Sequence, residues 1–194
     1  MENKLKIVFA TGNSHKLQEI NDISRGSGIK FILPPQDFNP IEDGNTFEQN
    51  SFIKAKEASR LSKMISLADD SGLCVEALNG APGIISARYD KTPQKRIEKL
   101  LKNLGQSDNR RAKFVCAMTL TDAQGNIITQ KIGECRGTIA YKPVGENGFG
   151  YDPVFIPDGY EITIAQMSEE LKNKISHRAI ALNQILSYIK QNIL

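Results

Sequence analysis

The stretch KIVFATGNSHKLQEI, residues 6–20, combines three local patterns. Its first part, Lys6–Ala10, is a short apolar run that is typical of a buried strand. Thr11–Asn13 is a run of small turn-forming residues, and from Leu17 to Ile23 the apolar residues recur at helical spacing. The stretch therefore predicts a strand, a tight turn and a helix in succession, an arrangement typical of α/β folds.

The turn in this stretch has the properties of an anion-binding turn. The beginning of a helix presents free backbone N–H groups and the positive end of the helix dipole, and Lys16 adds a counter-charge for a phosphate. The Walker pattern G-x-x-x-x-G-K-[ST] is absent. Since many α/β proteins carry such a turn without a ligand, the turn alone leaves both a phosphate site and a purely structural role open.

Other patterns predict the remaining elements. Thr46 and Gln49 form a candidate capping box, and Thr92 followed by Pro93 is a typical helix start that Gly105 would end. The predicted elements are a strand over Ile29–Leu33, a helix over Phe47–Met64, a hairpin of Phe114–Thr121 and Ile127–Cys135 turning at Gly125, and a C-terminal helix after Ser176. Without an internal repeat or a long linker, we expect residues 1–194 to form a single domain.

Composition and charge narrow the class of protein. Hydrophobic residues make up 40% and charged residues 24% of the chain, which is ordinary for a soluble globular protein. The formal net charge is only +3, and the basic residues are spread from Lys4 to Lys190 rather than clustered. A long nucleic acid is therefore not an implied partner.

The cysteines and the N-terminal sequence indicate the compartment. Cys74, Cys116 and Cys135 lie far apart without a C-x-x-C pair, which favours reduced thiols over disulfides or a zinc site. The N-terminus lacks a signal-peptide pattern, and no apolar run approaches the about 18 residues of a membrane span. We expect a cytoplasmic protein that neither is secreted nor spans a membrane.

Acidic residues form two clusters. Asp69 and Asp70 follow the predicted strand Ile65–Ala68, and we expect them to be exposed at its end. Glu42 and Asp43 lie in a polar loop. Carboxylates in such positions suit Mg²⁺, which prefers oxygen ligands and often bridges to substrate phosphates. The alternative is a solvated turn, because D-D-S-G is also ordinary turn composition.

Two further motifs suggest contacts with a ligand. GENGFGYDP, residues 145–153, would let the backbone pass close to a flat ligand while Phe149 stacks on it and Asp152 accepts a hydrogen bond. The alternative is a glycine-rich hairpin with one core aromatic. Ser176 is a candidate helix N-cap, which puts His177 and Arg178 in the first turn, where the helix dipole disfavours cations and a ligand would explain them.

Taken in order, five motifs resemble the inosine/xanthosine triphosphate pyrophosphatase family. They are TGNSHK, E-x-x-x-TFEQNSFIKA from Glu42, ADDSGLCVEALNGAPGIISARY, GENGFGYDPVF and KNKISHRAIAL. The resemblance runs from about residue 6 to residue 190. The family hydrolyses non-standard purine nucleoside triphosphates to monophosphate and pyrophosphate. The resemblance implies an α/β fold with a long twisted mixed β-sheet flanked by helices, two lobes with a nucleotide cleft between them, and a homodimer.

The resemblance also implies roles for individual residues. Triphosphate contacts would come from Thr11, Gly12, Asn13, Ser14, His15 and Lys16, with further phosphate contacts from Lys54 and Arg88. Mg²⁺ would be bound by Glu42 and Asp70, Asp70 would also be the base that activates water, and Ser71 would contact the substrate. The nucleobase pocket would consist of Phe149, Gly150, Tyr151 and Asp152, with Lys172, His177 and Arg178 reaching the base and its 6-oxo group.

Two other functions compete with this one. A nucleotide-binding module without turnover would need no water-activating base, so the carboxylates argue against it. An RNA- or DNA-binding protein would be expected to carry aromatic residues interleaved with a basic stripe, which this sequence lacks. The expected partners are thus a purine nucleoside triphosphate, Mg²⁺ and a second copy of the chain, with no nucleic acid and no membrane.

Overall fold

The strand, turn and helix predicted at the start of the sequence are β1 (Leu5–Phe9) and α1 (Ser14–Ile23). The computed structural model describes residues 4–194, except for the side chain of His15. The other elements are β2 (Ile29–Ile32), α2 (Phe47–Ser62), β3 (Ser66–Val75), α3 (Pro93–Leu104), β4 (Arg111–Thr121), β5 (Ile127–Ile139), β6 (Phe155–Pro157), α4 (Glu169–Ile175) and α5 (His177–Asn192). None of the helices in residues 4–194 has the length and apolar character needed to cross a bilayer.

The strands form a mixed sheet in the order β2-β1-β3-β4-β5-β6. β1 pairs in parallel with β2 and β3, whereas β5 and β6 pair antiparallel. The predicted hairpin joins β4 to β5, and Gly125 takes the left-handed position in its turn with φ +87°. The predicted α/β class, a mixed sheet flanked by helices, is confirmed.

The chain divides into two compact units. The first unit comprises the residues up to Asp70, Cys116–Gly133 and Arg178–Leu194, and the second comprises Ser71–Val115 and Glu134–His177. The first unit buries Phe9 edge-on against Phe31, and the second packs Phe114 against Phe155 with 4.7 Å between ring centroids. The prediction of a single domain over residues 1–194 stays a prediction.

In the first unit, buried hydroxyl groups attach α2 to β4. Ser51 Oγ lies 2.7 Å from Thr119 Oγ1, and Ser59 Oγ lies 2.5 Å from Thr121 Oγ1. Small buried residues such as Ala55 let the helix approach the sheet closely. These contacts fix α2 firmly, which matters because α2 carries a buried lysine, Lys54.

Local signals predicted most helix ends correctly. Thr92 caps α3 and Thr46 caps α2, each accepting from the N–H three residues on. The return bond of the expected capping box is displaced, since Gln49 accepts from the N–H of Asn45 rather than from that of Thr46. α2 ends at Ser62 rather than Met64, because Lys63 adopts a left-handed conformation with φ +57°.

Several elements differ from the prediction. The hairpin strands are longer than predicted, since β4 begins at Arg111 and β5 ends at Ile139. β3 runs unbroken through Asp69 and Asp70, where a strand end was expected. The segment before Ser176 forms an unpredicted helix, α4, whose N-cap Ser168 accepts from the N–H of Leu171. α4 is only seven residues long, and its two apolar residues, Leu171 and Ile175, are too few to reveal a helix by their spacing.

Close backbone packing in the β5–β6 ladder yields a stability prediction. Gly137 faces Pro157, and a Cβ added to Gly137 would lie 2.1 Å from the carbonyl oxygen of Ile156. Gly137→Ala should therefore lower the free energy of unfolding by about 1–3 kcal/mol, measured by chemical denaturation. The neighbouring exposed Arg136→Ala should change it by less than about 0.5 kcal/mol. Equal losses of stability in Gly137→Ala and Arg136→Ala would show that the close approach of Gly137 to Ile156 does not limit stability.

Candidate active site

The turn between β1 and α1 leaves the start of the helix accessible. Asn13 Oδ1 accepts from the N–H of Lys16 at 3.4 Å and so caps α1, while Thr11 Oγ1 accepts from the N–H of Asn13 at 3.1 Å. Gly12, Asn13 and Ser14 are exposed, and Thr11 is buried. The predicted role of His15 depends on a side chain outside the described residues. The geometry fits an anion at the helix start.

Asp69 is the centre of a buried ion network in the first unit. Lys16 Nζ lies 3.1 and 3.0 Å from its two oxygens, and Arg178 donates to Oδ2 from Nε and Nη2 at 3.2 and 3.0 Å. Arg178 Nη1 also donates to Glu19 Oε2 at 2.8 Å. The side chains of Asp69 and Arg178 are each only 1% exposed. This network joins α1, β3 and the first turn of α5.

Electrostatics keep the network charged. Burial alone would raise the pKa of Asp69, but the positive charges of Lys16 and Arg178 outweigh burial and hold that pKa well below its usual range. Burial likewise tends to lower the pKa of Arg178, and the carboxylates of Asp69 and Glu19 reverse that effect and raise it. Asp69 is therefore a fixed anion that holds two cations.

Asp70, the next residue, belongs to a second ion group. Lys54 Nζ lies 3.0 Å from Asp70 Oδ1 and 3.0 Å from Glu42 Oε2. The other oxygen, Asp70 Oδ2, is buried and receives no hydrogen bond from any residue in the described part of the chain. Burial raises the pKa of Asp70; Lys54 opposes this effect, and the negative charges of Asp69 and Glu42 add to it.

The loop that carries Glu42 is fixed to the start of α2. The N–H of Gly44 donates to Asn50 Oδ1 at 2.9 Å, and the N–H of Asn45 donates to Gln49 Oε1 at 2.7 Å. A Cβ on Gly44 would lie 2.7 Å from Asn50 Oδ1, so only glycine fits this approach. The metal ligands predicted at Glu42 and Asp70 are thus brought together, bridged by Lys54.

The alternation of side chains along β3 explains why neighbouring carboxylates have different partners. Asp69 lies on the same face of β3 as Leu67, which packs with Ile20 of α1 and Ile185 of α5. Asp70 lies on the opposite face, together with Ala68, which packs with Ala55 and Ala58 of α2. Each carboxylate therefore meets the cations on its own side of the sheet.

The expectation of exposed carboxylates at a strand end is wrong. Asp69 is 1% and Asp70 8% exposed, and both lie within β3. Their burial is tolerated because Lys16, Lys54 and Arg178 supply cations from distant parts of the chain.

Sequence reasoning named Asp69 only as one of the acids that suit Mg²⁺, and it did not single out Glu19. The spacing of Lys16 and Glu19 on one face of α1 was the only local signal for Glu19.

In the second unit, Asp152 organises the glycine-rich loop. Its Oδ2 accepts from the N–H of Phe149 and from Lys172 Nζ, each at 2.9 Å. Gly148 has φ +74°, and a Cβ there would lie 2.2 Å from Asp152 Oδ2. Lys172 Nζ lies 4.3 Å from the centroid of the Phe149 ring, which is 39% exposed. The loop thus presents an exposed aromatic ring beside an ammonium group.

Two residues of the predicted site, Tyr151 and His177, are buried and packed against other residues of the second unit. Tyr151 is buried, its hydroxyl donates to the Ser86 carbonyl at 3.0 Å, and burial raises the pKa of its phenol. The His177 ring is buried and stacks on Phe114 with 4.8 Å between centroids.

The remaining predicted residues lie as follows. Gly150 takes a positive φ of +64°, Ser71 is half-buried in β3, and Arg88 is exposed. His177 belongs to the second unit and Arg178 to the first.

A family model described as the Ham1 family matches residues 7–188. The chain belongs to the Ham1 family. It is 42% identical to a dITP/XTP pyrophosphatase of Nostoc sp. over 93% of this chain and 92% of that protein. The family predicted from the five motifs is thereby confirmed.

Solved structures of Ham1 proteins have the same fold. A HAM1 protein from Coxiella burnetii has a TM-score of 0.87 at 38% identity, with 96% of this chain and 99% of that chain covered. The Staphylococcus aureus Ham1 protein has a TM-score of 0.86 at 39% identity, with 96% and 98% covered.

The Asp69 network makes a testable contribution to stability. Asp69→Asn should lower the free energy of unfolding at pH 7 by about 3–5 kcal/mol, because it leaves buried cations without their anion. Glu57→Gln, which breaks the exposed pair with Arg60, should cost less than about 1 kcal/mol. Urea denaturation measures the free energy of unfolding of both variants. Similar losses in Asp69→Asn and Glu57→Gln would contradict the claim that the Asp69 network stabilises the fold.

The same variant predicts a pH dependence. The folded-state pKa of Asp69 lies below its unfolded value of about 3.9. Its stabilisation is therefore complete above the unfolded pKa and is lost as the pH falls toward the folded pKa. The difference in stability between the parent protein and Asp69→Asn should shrink below about pH 4.

Proposed function

We propose that this chain hydrolyses deaminated purine nucleoside triphosphates, namely dITP, ITP and XTP, to the monophosphate and pyrophosphate, with Mg²⁺ as cofactor. Ham1 relatives named dITP/XTP pyrophosphatases support the assignment as a nucleoside triphosphate pyrophosphatase, a hydrolase of phosphoric anhydrides. The observation that carries it is the pairing of Glu42 and Asp70 around Lys54, with Asp70 Oδ2 left without a donor.

The donor set fits Mg²⁺. Glu42 and Asp70 offer carboxylate oxygens, and the buried Asp70 Oδ2 is the kind of polar atom that a cation would satisfy. Within residues 4–194 no group of three or more histidine, cysteine, aspartate or glutamate side chains is arranged to hold a metal. This fits Mg²⁺, which is commonly bound by one or two carboxylates with water and phosphate oxygens. When bound, it would neutralise negative charge on the triphosphate.

The start of α1 and Lys16 would bind the phosphates. The exposed backbone from Gly12 to Ser14 offers N–H groups, and the helix dipole favours an anion there. Lys16 is partly exposed and is oriented by Asp69, so its ammonium has a fixed position beside the turn. Negative charge grows on the leaving pyrophosphate as the bond to the α-phosphorus breaks, and these groups would stabilise it.

Asp70 would act as the base. A water oxygen attacks the α-phosphorus, its proton moves to the Asp70 carboxylate, and the bond to the pyrophosphate oxygen breaks. A carboxylate whose pKa is raised by burial accepts a proton more readily than an exposed one. Lys54 donates to Oδ1 and so holds the carboxylate in one orientation.

The Asp152 loop would bind the base. The exposed Phe149 ring offers a stacking surface, and Lys172 beside it is a donor with no acceptor capacity. Hypoxanthine and xanthine present a 6-oxo acceptor, whereas adenine presents an amino donor, so a lysine donor favours the deaminated bases. The bonds of Arg178 to Asp69 and Glu19 support a role in holding that network, and its predicted contact with the 6-oxo group stays a prediction.

The broader biological role follows from this chemistry. Removing deaminated purine triphosphates would keep them out of newly made nucleic acid. We further propose that the protein acts in the cytoplasm and as a homodimer, as the resemblance to the family implies.

The catalytic assignment is tested by Asp70→Asn. The amide keeps the shape but loses the charge and the proton acceptor, so we expect kcat for pyrophosphate release from dITP with Mg²⁺ to fall by at least about a hundredfold. Asp37→Asn, an exposed change earlier in the same loop, should leave kcat unchanged. Near-parental kcat in a folded Asp70→Asn protein would remove Asp70 from the mechanism. No release from dITP, ITP or XTP by the parent protein would favour a binding module.

Base selection is tested by Lys172→Met. Loss of one charge-assisted hydrogen bond costs about 1.5–3 kcal/mol, so kcat/KM for dITP should fall by about 10–150-fold and the ratio of dITP to dATP activity should shrink. Lys174→Met on the same helix, which breaks only an exposed pair with Glu170, is the matched control. An unchanged ratio would mean that Lys172 serves the loop and does not read the base.

A further inference from the structure

Lys54 occupies the place between the two carboxylates that the proposed function gives to the metal. Its ammonium lies 3.0 Å from an oxygen of Glu42 and 3.0 Å from an oxygen of Asp70, and its side chain is 10% exposed. Two carboxylates in direct contact favour the charged form of the amine, so the site contains an ammonium group of its own.

A divalent ion at the same carboxylates meets this charge directly. One ammonium already neutralises one of the two carboxylate charges, so less attraction is left for a metal. A metal ion a few ångströms from Lys54 is also repelled by it, and this repulsion is strong in a poorly hydrated site. Without another anion, a metal ion at these carboxylates is therefore bound weakly unless Lys54 gives up one of its ion pairs.

We propose that Lys54 is an internal cation that competes with the divalent metal for Glu42 and Asp70, so that the metal binds tightly only when a triphosphate is present. This inference rests on the proposed function, because it concerns the metal site of the pyrophosphatase. The triphosphate supplies the missing negative charge and gives the ammonium new oxygen partners. The metal and the nucleotide then strengthen each other's binding.

The local structure allows the ammonium to change partners while its helix stays in place. α2 is attached to β4 by the hydroxyl pairs of Ser51 with Thr119 and of Ser59 with Thr121. Lysine, in contrast, has a flexible four-carbon stem and three rotatable donors. Only the end of the Lys54 side chain has to move when its partners change.

The test measures Mn²⁺ binding to the full chain without nucleotide, by electron paramagnetic resonance. Lys54→Met keeps the apolar stem and removes the charge, and it should bind Mn²⁺ at least about tenfold more tightly than the parent. Lys56→Met, an exposed change on the same helix, should bind like the parent. Adding Glu42→Gln to Lys54→Met should abolish the gain.

Two results would overturn the inference: Lys54→Met binding Mn²⁺ no more tightly than the parent, or a gain that survives Glu42→Gln. If Lys54→Met does not fold by circular dichroism, Lys54→Gln is measured in the same way. If neither folds, the parent protein decides: about 1 mM Mn²⁺ alone should leave its Tm unchanged, and a rise of several degrees would overturn the inference.

The proposed function is judged separately by pyrophosphate release from the parent protein. Tighter Mn²⁺ binding by Lys54→Met, with no pyrophosphate release by the parent protein, would support the inference about Lys54 and reject the proposed pyrophosphatase activity. Pyrophosphate release by the parent protein, with Mn²⁺ binding unchanged in Lys54→Met, would reject only the inference about Lys54.

Discussion

The buried carboxylate of Asp69 is the constraint on which the first unit depends. An isolated charge at 1% exposure would be very costly, so Asp69 can be buried only when Lys16 and Arg178 are both in place. Lys16 lies 53 residues before Asp69 and Arg178 lies 109 residues after it. The ion network therefore couples the first helix, the central strand and the last helix. It also fixes Lys16 in the first turn of α1, the part of the chain that we propose binds phosphate.

Because side chains alternate between the two faces of β3, two neighbouring acids belong to two separate ion groups. Asp69 and Asp70 are adjacent in sequence, yet a strand directs successive side chains to opposite faces of a sheet. Asp69 meets Lys16 and Arg178, and Asp70 meets Lys54. A register shift of one residue would exchange these faces and leave each carboxylate without its cation. The buried charges thus specify the register of β3 as strictly as its apolar residues do.

Local chemistry explains what the sequence could predict. The start of α1, the caps at Thr46 and Thr92 and the hairpin turn at Gly125 each depend on a few neighbouring residues. The five motifs predicted the Ham1 family because their order along the chain is itself informative. The residues predicted at Glu42, Lys54 and Asp70 do lie together.

Long-range contacts explain what the sequence could not predict. The burial of Asp69 depends on partners far along the chain, and Glu19 has no motif of its own. Tyr151 lies inside the motif GENGFGYDP, yet its hydroxyl is fixed by the Ser86 carbonyl in the core of the second unit. Arg178 stands at a helix start where a ligand was expected, and its guanidinium pairs with buried carboxylates. Mobile salt ions screen exposed charges far more than buried ones. Rising ionic strength should therefore weaken the proposed attraction of phosphate to the exposed turn, while the buried Asp69–Arg178 pair persists.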